Sequence, residues 1–476
     1  MKIFLALMFC VPLAAQRTPL QERIVALMGG LPNERTPLNA RVTGGFSRQG
    51  YRVEHVVFES LPGFRVTANL YIPSEGSGPF PAVLGAAGHS DIGKANGTYQ
   101  AVWISLARRG YVVLAYDPPG QGERLEFFDK ATGKSRLGAG VREHIQAGMQ
   151  CLLTGQSIAR YFVWDGIRAF DYLLTRKEVD PNRIAAAGNS GGGTQAALLA
   201  AAEPRLAAVV SSCYMTSWGM LIEKPGPQDM EQVIPGFLSA GLDFIDFIRA
   251  LGKPFLISAA TRDFFPIDGA RRTYQLAKAA GLPVEMVEAN EEHGWTKPLR
   301  EGAYRFLDKH LMGVERGAAE GEIALEKETD LRVTPTGQLA TSFGSETISS
   351  LNAARARELH ARRRAAQGAD LRSLVAKRLR IEWKPLGRLP ETTVDLPISW
   401  PESLQFMPAK SGYSSEYQAA ARMWLHGESL LKRKVQFVLE AAAKSASPVS
   451  IHARGSDAPA VLLAAVLEPK IARIIE

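Results

Sequence analysis

The stretch DPNRIAAAGNSGGGTQAALLAAAEPRLAAVV, residues 180–210, decides the fold. The apolar run RIAAA leads into Gly188-Asn189-Ser190-Gly191-Gly192, which opens directly into the Ala-rich run TQAALLAAA. Strand, tight turn and helix in that order make G-x-S-x-G informative, because a serine in such a turn must project above the edge of a sheet. Glycines two before and two after it leave room where a side chain would strike the neighbouring strand and helix. The amides that open the helix favour negative charge developing beside the serine. Ser190 is therefore the candidate nucleophile. The competing reading is a glycine-rich turn that joins two elements or binds phosphate.

Outward from this unit, the runs YRVEHVVFES (51–60) and FRVTANLYIP (64–73) flank Leu61-Pro62-Gly63 and read as a hairpin. From there short apolar runs alternate with helical stretches: PAVLGAAG, YVVLAYD, RIAAAGNS, LAAVVSSC, KPFLISAA and PVEMVEAN. Continuously apolar strands separated by helices are what a parallel sheet covered on both faces requires. The expectation is an α/β fold of the α/β-hydrolase kind, a mostly parallel, doubly wound sheet with an antiparallel start.

A serine hydroxyl becomes a useful nucleophile only when an imidazole takes its proton, and in this fold the acid and the histidine follow the serine in that order. Asp263 comes just after KPFLISAA and His293 just after PVEMVEAN. Both lie at carboxyl ends of strands, where a doubly wound sheet gathers its reactive groups. Asp268 is the rival acid, better placed to cap the following helix, and His144 is the rival base. His55 in the leading hairpin and His310 on the last helix of the domain are not placed to reach Ser190. The oxyanion of an acyl-transfer intermediate needs two amide donors, expected from the N–H of Gly191 and the N–H of His89, in the loop after PAVLGAA. Arg124, in the turn after YVVLAYD, is expected to be held in an internal ion pair. The insertion from Tyr214 to Gly252 reads either as a cap on the site or as a surface excursion.

Composition sets the remaining bounds. The 476 residues carry a formal net charge of +8, much of it in one stretch from Ala353 to Trp383 that includes Arg362-Arg363-Arg364. No aromatic residues interleave with the arginines, so a solvated helix face is expected rather than nucleic-acid binding. MKIFLALMFCVPLAAQ reads as an export signal cut near Ala15, which places the chain in a secreted or periplasmic setting. No later segment is long and apolar enough to cross a bilayer. Cys151 and Cys213 then remain, with no disulfide framework and no metal-ligand spacing, and neither metal nor cofactor is expected. Oligomeric state is left open.

The domain reading is a signal at 1–15, a polar lead-in at 16–50, a catalytic domain at 51–315, a linker with a basic helix and a Pro-rich stretch at 316–400, and a last region at 401–476. VSIHARGSDAPAVLLAAVLEPKIARII (449–475) aligns without gaps on residues 184–210, with Gly455 opposite Ser190. It reads either as a degenerate, incomplete second α/β unit or as a coincidence between two Ala-rich helices.

The motifs GHSDIGK (88–94), DPPGQGER (117–124), YFVWDGIRAFDYL (161–173), DPNRIAAAGNSGGGT (180–194) and HGW (293–295) resemble the acetyl xylan esterase and cephalosporin deacetylase group of α/β-hydrolases. They resemble most the large secreted bacterial proteins of that group, as does RVTPTGQLATSFGSET (332–347). The resemblance implies hydrolysis of acetyl or similar small acyl esters, with a small-molecule or carbohydrate ester as substrate. The better-known deacetylases carry Gln after the nucleophile, Glu after the histidine and an aromatic residue after His-Gly in the oxyanion loop. Here those positions are Gly191, Gly294 and His89. Two other readings stand beside the esterase: a serine peptidase of the prolyl-oligopeptidase kind, and a non-catalytic carbohydrate-binding protein.

Overall fold

The computed structural model describes residues 16–223, 226, 229–362, 368–384, 394–396, 415–453 and 457–475. The expected export signal, Arg363, Arg364, most of the Pro-rich stretch and Gly455 lie outside the described residues. The chain divides into two compact units, Met1–Ala354 and Arg355–Glu476.

The first unit is built on nine strands: β1 (Arg41–Arg48), β2 (Tyr51–Leu61), β3 (Phe64–Pro73), β4 (Phe80–Ala86), β5 (Val112–Tyr116), β6 (Val179–Asn189), β7 (Ala208–Ser212), β8 (Phe255–Arg262) and β9 (Val284–Glu292). Their order in the sheet is β1-β2-β3-β5-β4-β6-β7-β8-β9. The expected hairpin is present, with Tyr51 opposite Pro73 in antiparallel register. From β5 to β9 every pairing is parallel. β5 and β7 are buried along their whole length, as their unbroken apolar sequences require. Helices Gly97–Arg108 and Lys297–Leu307 share one core with Val83, Val113, Ala185, Val210 and Leu256 of the sheet. The chain passes from β4 to β5 on one side and later to β6 on the other, so the crevice outside the ends of β4 and β6 is a switch point of the kind that receives ligands.

Three features differ from the sequence reading. Residues 16–50 are more than a polar lead-in. Helix Pro19–Leu27 buries Ile24 and Val25 and is closed by a capping box between Thr18 and Gln21, and β1 pairs with β2 as the sheet's edge. Residues 316–354 are not a linker but part of the first unit. Glu326 accepts from the Tyr51 hydroxyl at 2.6 Å, Thr43 donates to the Val333 carbonyl at 2.7 Å, and Leu331, Val333 and Leu339 are buried. Finally, the basic stretch holds helix Gly368–Leu379, whose Val375 is buried in the core of the second unit rather than spent on a solvated linker.

That second unit carries a three-stranded sheet of Val394–Leu396, Val449–His452 and Ile471–Ile475, all parallel. Helix Ala458–Leu467 connects the last two strands. The strand–helix–strand over 449–475 thus has the same order of elements as β6, helix Gly191–Ala200 and β7. Val435, Val438, Leu439, Ile451 and Val461 form its core.

Candidate active site

Ser190 sits at the end of β6 with φ 58° and ψ −124°, immediately before helix Gly191–Ala200. A left-handed φ is costly for a residue with a side chain and persists only where its surroundings hold it. They do so here. The Ser190 amide donates to the Ser212 carbonyl at 2.9 Å. A Cβ on Gly188 would stand 2.3 Å from the Gly192 carbonyl oxygen, and one on Gly192 would stand 2.1 Å from that of Ala86. The two glycines are therefore required by close backbone approach.

Three candidate residues meet at this turn. His293 Nε2 lies 2.8 Å from Ser190 Oγ, and His293 Nδ1 lies 2.8 and 2.9 Å from the two carboxylate oxygens of Asp263. Asp263 also accepts from the Phe265 amide at 2.9 Å. Trp295, two residues beyond the histidine, is buried edge-on against Trp103 and anchors the loop. Phe264, half exposed, lies with its ring 4.3 Å from that of His293. Asp268, the rival acid, is an exposed side chain paired with Arg271 at 3.2 Å and has no part in this group.

The loop after β4 is pinned on both sides: Gln195 Nε2 donates to the Ala87 carbonyl at 2.9 Å and Gln121 Nε2 to that of Gly88 at 2.8 Å. A Cβ on Gly88 would fall 3.3 Å from that of Ser190, which sets this loop directly beside the nucleophile turn. Gly191 is the first helical residue, so its N–H is one of those with no partner inside the helix. The ring of His89 lies over Gly191, where an added Cβ would be 2.8 Å from His89 Cε1. Two of the three departures from the better-known deacetylases therefore occupy one space: the imidazole at 89 fits because residue 191 has no side chain. A cavity of about 410 Å³ opens beyond Asp91 and Ile92 and is lined also by Leu125, Ser135 and Gln338, but not by Ser190 or His293.

A second cluster lies behind His89. His144, the rival base, is buried, with Nδ1 2.8 Å from Asp229 Oδ2 and Nε2 2.8 Å from the Pro119 carbonyl oxygen. His89 Nε2 also contacts Asp229 Oδ2, and the His89 and His144 rings lie 5.2 Å apart. Glu231 is buried, 3.5 Å from His89 Nε2 and 3.5 Å from His144 Nδ1. Burial alone would lower the pKa of His89, but the carboxylates of Asp229 and Glu231 push it up to about 9. For His144 the same contest raises the pKa well above the ordinary histidine value. The one ligand atom each of these four residues offers lies within 4.8 Å of the others, a donor set able to hold a metal ion. Ligand atoms of Cys213, Asp263 and His293 lie equally near one another, but there the hydrogen bonds of the Ser190 group already engage the ring and the carboxylate. Sequence reasoning missed the first set because its members come from separated segments with no ligand spacing. Asp229 and Glu231 belong to the insertion from Tyr214 to Gly252, which packs inward through Trp218, Met230, Phe237 and Phe244.

The motifs that carry the resemblance fold into a third buried cluster. Lys94 donates to Asp117 and to Glu123, each at 2.7 Å, and Arg124 pairs with Asp165 at 2.8 Å, as expected. Glu123 also accepts from the amides of Val333 and Thr334 at 2.8 and 2.7 Å and from the Thr334 hydroxyl at 2.7 Å. Burial would raise its pKa, but Lys94 and these donors lower it below the ordinary carboxylate range.

Residues 41–220 match the family described as Acetyl xylan esterase (AXE1). The Bacillus subtilis (strain 168) protein YtaP, whose name gives it only as a hydrolase, is 28% identical over 217 residues, covering 44% of this chain and 67% of YtaP. Among solved structures, Methylesterase BT1017 superposes with a TM-score of 0.52 at 22% identity over 72% of this chain and 75% of its own. At that identity the likeness speaks for the shared fold. No described helix is long and apolar enough to cross a membrane. Over residues 41–220 the chain is thus similar to the acetyl xylan esterases, and it is a carboxylic ester hydrolase on an α/β-hydrolase fold.

Proposed function

We propose that the chain is an exported serine esterase that removes acetyl or similar small acyl groups from carbohydrate through an acyl-enzyme. The observation that carries the reading is the unbroken line from Ser190 Oγ to His293 Nε2 and from His293 Nδ1 to Asp263, 2.8 Å at each step. Ser190 Oγ attacks the ester carbonyl carbon while His293 Nε2 takes its proton, and the carbonyl electron pair moves onto oxygen. The amides of His89 and Gly191 receive that oxyanion, each such donor contributing about 2.7–4 kcal/mol to the transition state. Collapse expels the sugar alkoxide, which takes the proton from His293. Water, deprotonated in turn by His293, then releases the acid and restores Ser190. Asp263 stays ionised throughout and holds the Nδ1–H tautomer.

Carbohydrate as the carrier of the ester is supported by the acetyl xylan esterase match. Export is supported by the apolar run and small residues of MKIFLALMFCVPLAAQ. N-terminal sequencing of the protein recovered outside the cytoplasm should begin near Gln16, and an intact Met1 there would remove that part of the proposal.

An active-site fluorophosphonate tests the core of the reading. Wild type should label and Ser190→Ala should not, with kcat on an aryl acetate falling on the order of a million-fold. Labelling that survives in the variant, or none in wild type, would overturn it. Turnover of acetylated xylo-oligosaccharides alongside inertness toward aminoacyl-proline amides is expected, and the reverse order would make the chain a peptidase.

A further inference from the structure

The group formed by His89, His144, Asp229 and Glu231 is unusual in what it leaves unsatisfied. Asp229 and Glu231 have side chains 0% and 1% exposed, and carboxylates so deep must be hydrogen-bonded, paired or bound to a metal. Both oxygens of Glu231 are buried and have no hydrogen-bond partner among the described residues. They stand 3.5 Å from His89 Nε2 and from His144 Nδ1, beyond good hydrogen-bond range. The Glu231 spacing is close to the edge of a tetrahedral site, since ligands about 2.1 Å from an ion stand roughly 3.4 Å apart, whereas Asp229 Oδ2, 2.8 Å from His144 Nδ1, must draw back to admit the ion.

His144 supplies the second sign. Its Nε2 faces the Pro119 carbonyl at 2.8 Å, and a carbonyl can only accept, so that nitrogen carries a hydrogen. Nδ1 is then the nitrogen turned to the two carboxylates, donating to them when the ring is charged and offering a lone pair to an ion shared with them when a metal replaces that proton. Metal-bound histidines are oriented in this way, with the remote N–H given to a backbone oxygen.

We propose that His89 Nε2, His144 Nδ1, Asp229 and Glu231 bind one divalent transition-metal ion, of which zinc is the representative. Two imidazoles and two carboxylates suit such an ion better than calcium or magnesium, which favour all-oxygen sets. Two anionic ligands would balance its charge. The site fixes the His89 side chain over Gly191, so the ion positions the loop whose His89 amide is assigned above to the oxyanion. Its role is to hold that loop, not to contact substrate.

The test is equilibrium dialysis of the full chain, first stripped with a chelator, against micromolar zinc chloride, with bound metal measured by mass spectrometry. Wild type should take up one equivalent and melt at a higher temperature when loaded. Glu231→Gln and His144→Gln should each bind at least ~10-fold more weakly, while Cys213→Ala should bind as wild type does. No uptake by wild type overturns the proposal. So does equal uptake by wild type and Glu231→Gln, and so does loss confined to Cys213→Ala, which would put the ion beside His293. Because uptake is read without substrate, failure here leaves the esterase reading intact. A wild type that fails to label with the fluorophosphonate would sink that reading without touching this one.

Discussion

His293 and His144 each turn Nδ1 toward a buried aspartate at 2.8 Å, yet their second nitrogens meet opposite chemistry. Nε2 of His293 faces a hydroxyl, Ser190 Oγ, which has a proton to give. Nε2 of His144 faces a peptide carbonyl, which has none. A histidine–carboxylate pair is therefore not in itself a sign of a general base. The partner of the remaining nitrogen decides whether the ring can take a proton or only hold a position.

Substitutions can break that contrast in graded steps. The largest effect after loss of Ser190 itself is expected for Asp263→Asn, which leaves the ring in place but removes the charge and sets an amide N–H against Nδ1, favouring the wrong tautomer. Steady-state kinetics should show kcat on an aryl acetate lower by about 10⁴-fold, and a loss under tenfold would make Asp263 dispensable. The buried Lys94 cluster, where cation and anions are matched without any histidine, isolates the cost of burying charge. Lys94→Met leaves Asp117 and Glu123 buried and uncompensated, and chemical denaturation should show a loss of about 3–5 kcal/mol.

The same cluster fixes a pH sign. The pKa of Glu123 is lower in the folded protein than the ordinary 4.5, so between the two values the unfolded chain binds more protons. Its contribution is complete above that range and disappears as pH falls through the folded value. Melting temperatures recorded down an acid series should decline in wild type, and the decline should be smaller in Lys94→Met, where Glu123 has lost the cation that lowers its folded pKa. Gly191→Ala sharpens the comparison from the other side, because the added methyl meets the ring of His89. A drop of about 10²–10³ in kcat with KM little changed is expected, the scale of one lost oxyanion donor. An unchanged kcat would separate the ring from the loop. Smallest of all, Asp268→Asn should leave kcat unaltered and stability within about 0.5 kcal/mol, since that side chain is exposed.

The groups at Ser190, Asp263 and His293 were legible because each follows a readable strand, apolar in RIAAA and KPFLISAA and more mixed in PVEMVEAN, and the fold's chain order told which carboxylate and which imidazole to choose. β1 was not legible: RVTGGFSR is exposed along nearly its whole length, so it shows no two-residue alternation to read. Helix Pro19–Leu27 did leave a signal, Thr18 followed by Pro19 and by Gln21 three positions on, but in a segment too short and polar to stand out. Asp229 and Glu231 were beyond reach for another reason. A ligand pair two residues apart means nothing until folding carries it against histidines 85 and more positions away.

The grip of Val333 and Thr334 on Glu123 has a practical corollary for anyone trimming the gene. Cutting after Gly313, where the last helix of the first unit's sheet-and-helix pattern has ended, would strip a buried anion of three donors and uncover the wall of Leu331, Val333 and Leu339. The shortest excision that keeps this half whole runs to about Ala354, and a briefer one should yield insoluble material whatever the integrity of its catalytic serine.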